Sequence, residues 1–276
     1  MRRLFKTFFK IFSIFWITII IAVLYNAFSN DGLNNSISPV LDEEEWSVVN
    51  DSLLEHNRNW KSFDGRKYSL NYQFPRTDLY QSKALKAQIK KKLNYDNYWG
   101  SVYHNLVIND EKLLKPLIQK LDSVRKIMEF DRQSFADFVV SFVQDIPYVL
   151  ILQGSCKDPN YQALINEIGR DKPCVGNVEF GVKTPLEFLT SLSGDCDTRT
   201  VLLFALLKYY RYDVAILVSE QYGHSILGVN LPNYGMYKEF LGKKYKVWET
   251  TAYGFKMGEL SPSVNNLNYW EIVLIS

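Results

Sequence analysis

Ser193-Gly194-Asp195-Cys196-Asp197-Thr198-Arg199, followed at once by Val201-Leu202-Leu203-Phe204-Ala205-Leu206-Leu207, is the stretch on which the reading of this chain turns. Gly194 supplies a turn. The residues after it open a helix that is apolar nearly all round, and such a helix is central and buried. Cys196 therefore stands in the first turn of a core helix. There the positive end of the helix dipole and unpaired backbone N–H groups favour thiolate, the reactive form of cysteine. The plainer alternative is a small apolar side chain filling a gap in the core.

The other cysteines bear on that choice. The chain has three, so they cannot all pair within it. Cys156 and Cys174 lie 18 positions apart in a loop-like stretch rich in Gly, Pro and Asp. In an oxidising compartment they can pair, closing a loop worth ~3 kcal/mol in the chain-entropy model, and Cys196 is then the thiol left free. The alternative is three free thiols in a reducing compartment.

The N-terminus speaks for the oxidising side. Arg2, Arg3, Lys6 and Lys10 precede Ile11 to Phe28, an uncharged stretch of 18 residues interrupted only by Ser13, Thr18 and Asn26. With Leu4 to Phe9 it reaches the ~20 residues that cross a bilayer. Tyr25 is placed for the membrane interface. Asp31, Asp42, Glu43, Glu44 and Glu45 follow, and no Lys or Arg occurs again before Arg58. The positive-inside rule then keeps the N-terminus in the cytoplasm and the rest outside. Residues 1–30 read as a cytoplasmic tail and single-pass anchor in the cell (inner) membrane. A cleaved signal peptide is the competing reading: Ala27 suits a cleavage site, but Tyr25 is bulky where a small residue is wanted.

Composition narrows the field further. The chain has 276 residues, 47% hydrophobic and 15% aromatic, enough for a sizeable core. Its net charge of +2 gives no argument for nucleic acid, and the basic residues do not interleave with aromatics in that manner. No Gly-rich phosphate loop is present. Cys156, Cys174, Cys196 and His224 include no short-spaced ligand pair, a poor match to a zinc site. No cofactor is called for.

Residues 31–45 read as a juxtamembrane spacer, 46–128 as a helical and strand region, and 129–276 as the chemistry-bearing domain. Trp46 to Trp60, with Val49, Leu53 and Leu54 at helical spacing, predicts a short helix. Tyr68 to Phe74 alternates as a strand ended by Pro75. Ser82 to Leu93 predicts a Lys-rich amphipathic helix with a solvated charged face. Asp110 to Met128 has helical periodicity in which Pro116 marks either a kink or the true start. Phe130 to Val143 predicts a helix capped by Asp131, and Tyr161 to Ile168 a short one. Thr184-Pro185-Leu186-Glu187 opens another with a cap and a proline at the first position. The Cys196 helix runs to about Tyr210. Val214 to Ser219, His224 to Leu231, Tyr245 to Thr250 and Tyr269 to Ile275 are β-rich. Helices first and a mostly antiparallel sheet after make the fold class α+β.

Two of those strands carry the partners a thiol nucleophile needs. His224 heads a core-like strand, and Glu249 stands near the end of the next. If adjacent, the two strands bring base and carboxylate together, with the Cys196 helix N-terminus across them. His224 would take the thiol proton and Glu249 would fix the imidazole. The alternative for Glu249 is a cap or surface carboxylate. Asp195 and Asp197 flank the thiol, where negative charge raises its pKa. They read as helix N-terminal acids or substrate-orienting groups, not activators.

Phe142-Val143-Gln144-Asp145-Ile146-Pro147-Tyr148, Lys183-Thr184-Pro185-Leu186-Glu187-Phe188-Leu189, Gly194-Asp195-Cys196-Asp197, Gly223-His224 and Trp248-Glu249-Thr250-Thr251, in that order, resemble the transglutaminase-like superfamily, nearer its prokaryotic domains than the animal enzymes. The likeness spans roughly residues 130 to 262. It implies a papain-like core and a Cys196-His224-Glu249 triad that performs acyl transfer or hydrolysis at protein or peptide amides through a thioester. It also implies a side-chain oxyanion donor, for which Gln144 is the candidate; the alternative is a glutamine capping its own helix. Enzymes of this superfamily usually place aspartate third, and Glu249 is one methylene longer. The rival reading is a non-catalytic module of the same fold that binds peptide or protein at the membrane.

Overall fold

A computed structural model describes residues 52–162, 165–166 and 173–276. The expected anchor over 1–30 and spacer over 31–45 lie outside the described residues. Among the described residues no helix is long and apolar enough to cross a membrane.

The described chain opens with an antiparallel hairpin, β1 (Leu53–Lys61) and β2 (Lys67–Pro75), in continuous register from Leu53 opposite Pro75 to Lys61 opposite Lys67. This corrects the helix expected up to Trp60. The inward residues of β1 are Leu54, His56, Arg58 and Trp60. Two of the four are polar, so the period of two does not register as hydrophobic alternation. Each polar one is buried with a partner. His56 Nε2 meets the Thr190 carbonyl at 3.1 Å, and Arg58 donates to Asp145 at 2.6 Å.

Four helices follow: α1 (Arg76–Ala87), α2 (Tyr98–Asp110), α3 (Lys115–Ile127) and α4 (Arg132–Gln144). The Lys-rich helix begins six residues earlier than expected, directly after Pro75, and ends in a 3-10 turn at Ile89–Lys92. Pro116 sits in the first turn of α3 and so marks its start, where the missing N–H costs nothing. Asp131 caps α4, accepting from the Ser134 N–H at 2.7 Å. Helix α2 has no counterpart in the sequence reading.

Two short parallel strands, β3 (Leu150–Ile151) and β4 (Cys174–Val175), come next, and Cys174 is bridged to Cys156. Of the helix expected at Tyr161 to Ile168, the described residues show a 3-10 turn at Pro159–Tyr161 and helical residues at 162 and 165–166. Helix α5 (Pro185–Ser191) starts in a full capping box between Thr184 and Glu187. Helix α6 (Cys196–Tyr209) follows.

The sheet has five strands, β5 (Val214–Ser219), β6 (His224–Val229), β7 (Tyr237–Phe240), β8 (Lys243–Trp248) and β9 (Glu271–Ile275). Their order is β7-β8-β6-β5-β9, antiparallel throughout. Strand β7 is the unforeseen one. It is a largely exposed edge strand without an apolar face, so no alternation announces it.

Helix α6 lies across β5 and β6. One core runs from Trp60, Tyr72 and Phe74 of the hairpin through Phe138 and Phe142 of α4 to Leu202 and Phe204 of α6 and Trp248 of β8. The boundary drawn at residue 128 therefore crosses a continuous core. Ala215, Leu217, Ile226, Tyr245, Val247 and Trp270 form a second cluster. The fold is α+β.

Candidate active site

The turn before α6 is built to hold its shape. A Cβ on Gly194 would stand 2.7 Å from the Thr198 methyl and 2.9 Å from the Phe188 ring, so only glycine fits. Lys183 Nζ donates to Ser191 Oγ at 2.9 Å, the Ser193 carbonyl at 3.0 Å and Ser193 Oγ at 2.5 Å. Burial pushes this ammonium down to about 8. Asp195 is the N-cap of α6 and accepts from the Thr198 N–H at 3.2 Å.

Arg199, fully buried one turn into the helix, donates Nε to the Gly194 carbonyl at 3.1 Å and Nη1 to that of Val143 at 2.9 Å. Its Nη2 donates to the carbonyl of Ile146. One side chain thereby ties the end of α4 and the residues just past it to the Gly194 turn.

The strands supply the rest. Leu227 opposite Trp248 sets the register of β6 and β8, and brings the head of one strand beside the end of the other. His224 Nε2 donates to Glu249 Oε2 at 3.0 Å and lies 3.2 Å from Oε1. Glu249 Oε1 also accepts from the N–H groups of Thr250 at 2.8 Å and Thr251 at 2.9 Å, and from the Thr251 hydroxyl at 2.7 Å. Glu249 is 4% exposed, so it is not a surface carboxylate. Burial works against its charge, but His224 and Thr251 outweigh it and hold the acid down to about 2.

Cys196 is the free cysteine, 8% exposed. Its thiol and the His224 ring are polar partners across the junction of α6 and β6. With Nε2 committed to Glu249, Nδ1 is the ring nitrogen left for sulfur. Burial lowers the His224 pKa, yet Glu249 and Cys196 outweigh it and set it well above the ordinary value. Burial pushes the Cys196 thiol up and Asp197 adds to that; His224 opposes both without outweighing them, so the thiol stands above its ordinary value, which corrects the expected preference for thiolate. The two groups thus compete for a common proton: Glu249 favours its place on the ring, and burial and Asp197 favour its place on sulfur.

The flanking aspartates do not activate the thiol. Asp195 is pushed up to about 7 by burial and by Asp197. Asp197, raised by burial, accepts from the Tyr103 hydroxyl at 2.9 Å.

Gln144 requires a correction. Its Nε2 donates to the Glu249 carbonyl at 2.7 Å and the Phe255 carbonyl at 2.9 Å, and its Oε1 accepts from the Gly254 N–H at 3.1 Å. Both amide hydrogens are spent, so none remains for an oxyanion. Nor does it cap its own helix. Gln144 positions the segment that carries Glu249.

Other residues at the site escaped the sequence reading. Tyr103, which holds Asp197, comes from α2, a stretch to which no element had been assigned. The Trp270 ring packs on His224 at 5.8 Å between centroids, with its indole N–H on the Val264 carbonyl at 2.8 Å. Tyr148 pairs with the turn before α6 through a backbone bridge to Gly194. In the sequence it is marked only by its place at the end of Phe142–Tyr148.

Among the described residues no group of three or more His, Cys, Asp or Glu side chains is placed to hold a metal ion. The chain matches no protein-family model, no curated protein and no solved structure at a significant level.

Proposed function

We propose that the chain is a membrane-anchored, extracytoplasmic cysteine enzyme with a papain-like, transglutaminase-like core, acting on protein or peptide amides. The observation that carries this reading is the free Cys196 thiol at a helix N-terminus, paired with a His224 that Glu249 holds from its far side. The Cys156–Cys174 bridge supports an oxidising compartment, and the charge pattern of residues 1–45 supports an anchor.

In this mechanism His224 takes the thiol proton as Cys196 Sγ bonds to the amide carbon. The carbonyl π pair moves to oxygen. Collapse of that oxyanion breaks the C–N bond, and His224 returns the proton to the leaving amine. Water or an amine then attacks the thioester, giving its proton to His224 and restoring the thiol. Glu249 stabilises the imidazolium throughout.

The test is iodoacetamide alkylation of the purified outer domain at neutral pH, with Cys196→Ala to identify the labelled thiol. Cys196 should react far faster than free cysteine, and His224→Ala should abolish the excess. Equal rates, or no effect of His224→Ala, would overturn the reading in favour of a binding module.

A further inference from the structure

An acyl-transfer site needs donors aimed at the developing oxyanion, and loss of Gln144 from that role leaves a gap. The thiol's own backbone N–H fills half of it. At the first position of α6, the Cys196 N–H has no hydrogen-bond partner among the described residues, as expected for an orphan group of a helix start.

The residues around the Gly194 turn offer a second. Tyr148 bridges to Gly194 in parallel register, and the next N–H, of Val149, donates to the Gly194 carbonyl at 3.2 Å. This places Tyr148 beside the segment that delivers Cys196 two residues later. The Arg199 guanidinium lies over the ring, 5.9 Å from its centroid, and is the same group that clamps Val143, Ile146 and Gly194. The side chain is half-buried, and its hydroxyl makes no hydrogen bond to any described residue. Burial first, and then the charges of Cys196, Asp195 and Asp197 in that order, hold the phenol un-ionised, so it keeps its O–H to donate. Tyr103, the other tyrosine near the thiol, differs on the decisive point: its hydroxyl is occupied by Asp197.

We propose that Tyr148 is the second oxyanion donor, its O–H acting with the Cys196 N–H on the tetrahedral intermediate. The proposal rests on the acyl-transfer reading above and names a catalytic residue for it.

The two reactions of a cysteine separate the claims. Alkylation by iodoacetamide displaces iodide at a saturated carbon and forms no oxyanion. Acylation by p-nitrophenyl acetate does: sulfur bonds to the carbonyl carbon, the π pair moves to oxygen, and collapse expels p-nitrophenolate while His224 holds the thiol proton. Tyr148→Phe should slow the p-nitrophenolate burst about a hundred-fold and leave the alkylation rate within about two-fold of wild type. Because the hydroxyl has no partner to lose, the melting temperature should stay put. Tyr148→His, which keeps a ring N–H, should recover part of the burst. An unchanged burst in Tyr148→Phe would overturn the proposal. So would a parallel fall in alkylation, or a drop in melting temperature, since the hydroxyl would then serve the thiol or the fold. A wild-type protein that neither alkylates quickly nor shows a burst would instead sink the acyl-transfer reading itself.

Discussion

His224 Nε2 stands 3.0 Å from Glu249 Oε2, and the other oxygen of that carboxylate is held by the Thr250 and Thr251 N–H groups and the Thr251 hydroxyl. The acid is thereby fixed before it meets the ring. The extra methylene of glutamate is taken up by this local turn: the side chain folds back on its own next two residues. The glutamate reaches the imidazole in a fixed orientation because the chain just after β8 grips it.

Glu249→Gln should expose that dependence. The amide can still meet the imidazole but cannot stabilise imidazolium. Alkylation of Cys196 at neutral pH should fall by at least about a hundred-fold, the lower end of what a positioned acid–base group contributes. Glu249→Asp should retain more activity than the glutamine variant. Stopped-flow labelling of the three proteins checks both.

Stability should peak in weak acid. Glu249 has a folded-state pKa of about 2 against an ordinary 4.5, so its contribution is present above 4.5 and is lost as pH falls toward 2. At full strength it is on the order of 3 kcal/mol. Asp195 has the opposite sign, raised to about 7 by burial and Asp197. Asp110 and Asp137 share that sign, each raised to about 6 chiefly by burial. Carboxyls of this kind favour the fold below their unfolded values and lose that contribution as pH rises through 6 to 7. Each raised carboxyl starts to lose its contribution at the unfolded value of 3.8, so melting temperatures from pH 2 to 8 should rise from neutrality to a maximum between about pH 3 and 4 and fall below it. A monotonic rise to pH 8 would contradict the assignment.

Gln144→Ala should damage alkylation and acylation together. It removes donors from the Glu249 and Phe255 carbonyls and an acceptor from the Gly254 N–H. Leaving buried backbone groups unpaired costs about 1–3 kcal/mol, visible as a lower melting temperature. An oxyanion donor would show the reverse split, with acylation lost and alkylation kept.

Reducing the Cys156–Cys174 bridge should lower stability by ~3 kcal/mol. It should also cut acylation more than alkylation. Cys174 pairs with Leu150, two residues from Tyr148, so the bridge secures the short strand that directly follows that phenol. Melts and burst kinetics with and without reductant, against a Cys156→Ser/Cys174→Ser double variant, check this.

The meeting of Cys196, His224 and Glu249 was legible in the sequence because each sits at a strong local signal. Cys196 follows a glycine turn, His224 heads an apolar strand, and Glu249 ends another. Asp131 and Thr184 announced their helices by capping chemistry, which acts within a few residues. Strand β1 was not legible because His56 and Arg58 face inward, and their partners Thr190 and Asp145 lie far along the chain. The role of Gln144 was hidden for the same reason: its amide is spent on carbonyls more than a hundred residues away. Tyr103 escaped because its carboxylate partner is 94 residues distant.

Arg199 has a consequence for anyone seeking ligands. A guanidinium sealed among the carbonyls of Val143, Ile146 and Gly194 works as a rivet between two helices. Sliding α4 against α6 would strand a buried cation, a cost of several kcal/mol. Any adjustment of shape at this site must then fall to the surrounding loops, while the seam carrying Tyr148 and Cys196 stays in place. A compound shaped to this seam should bind without moving either helix.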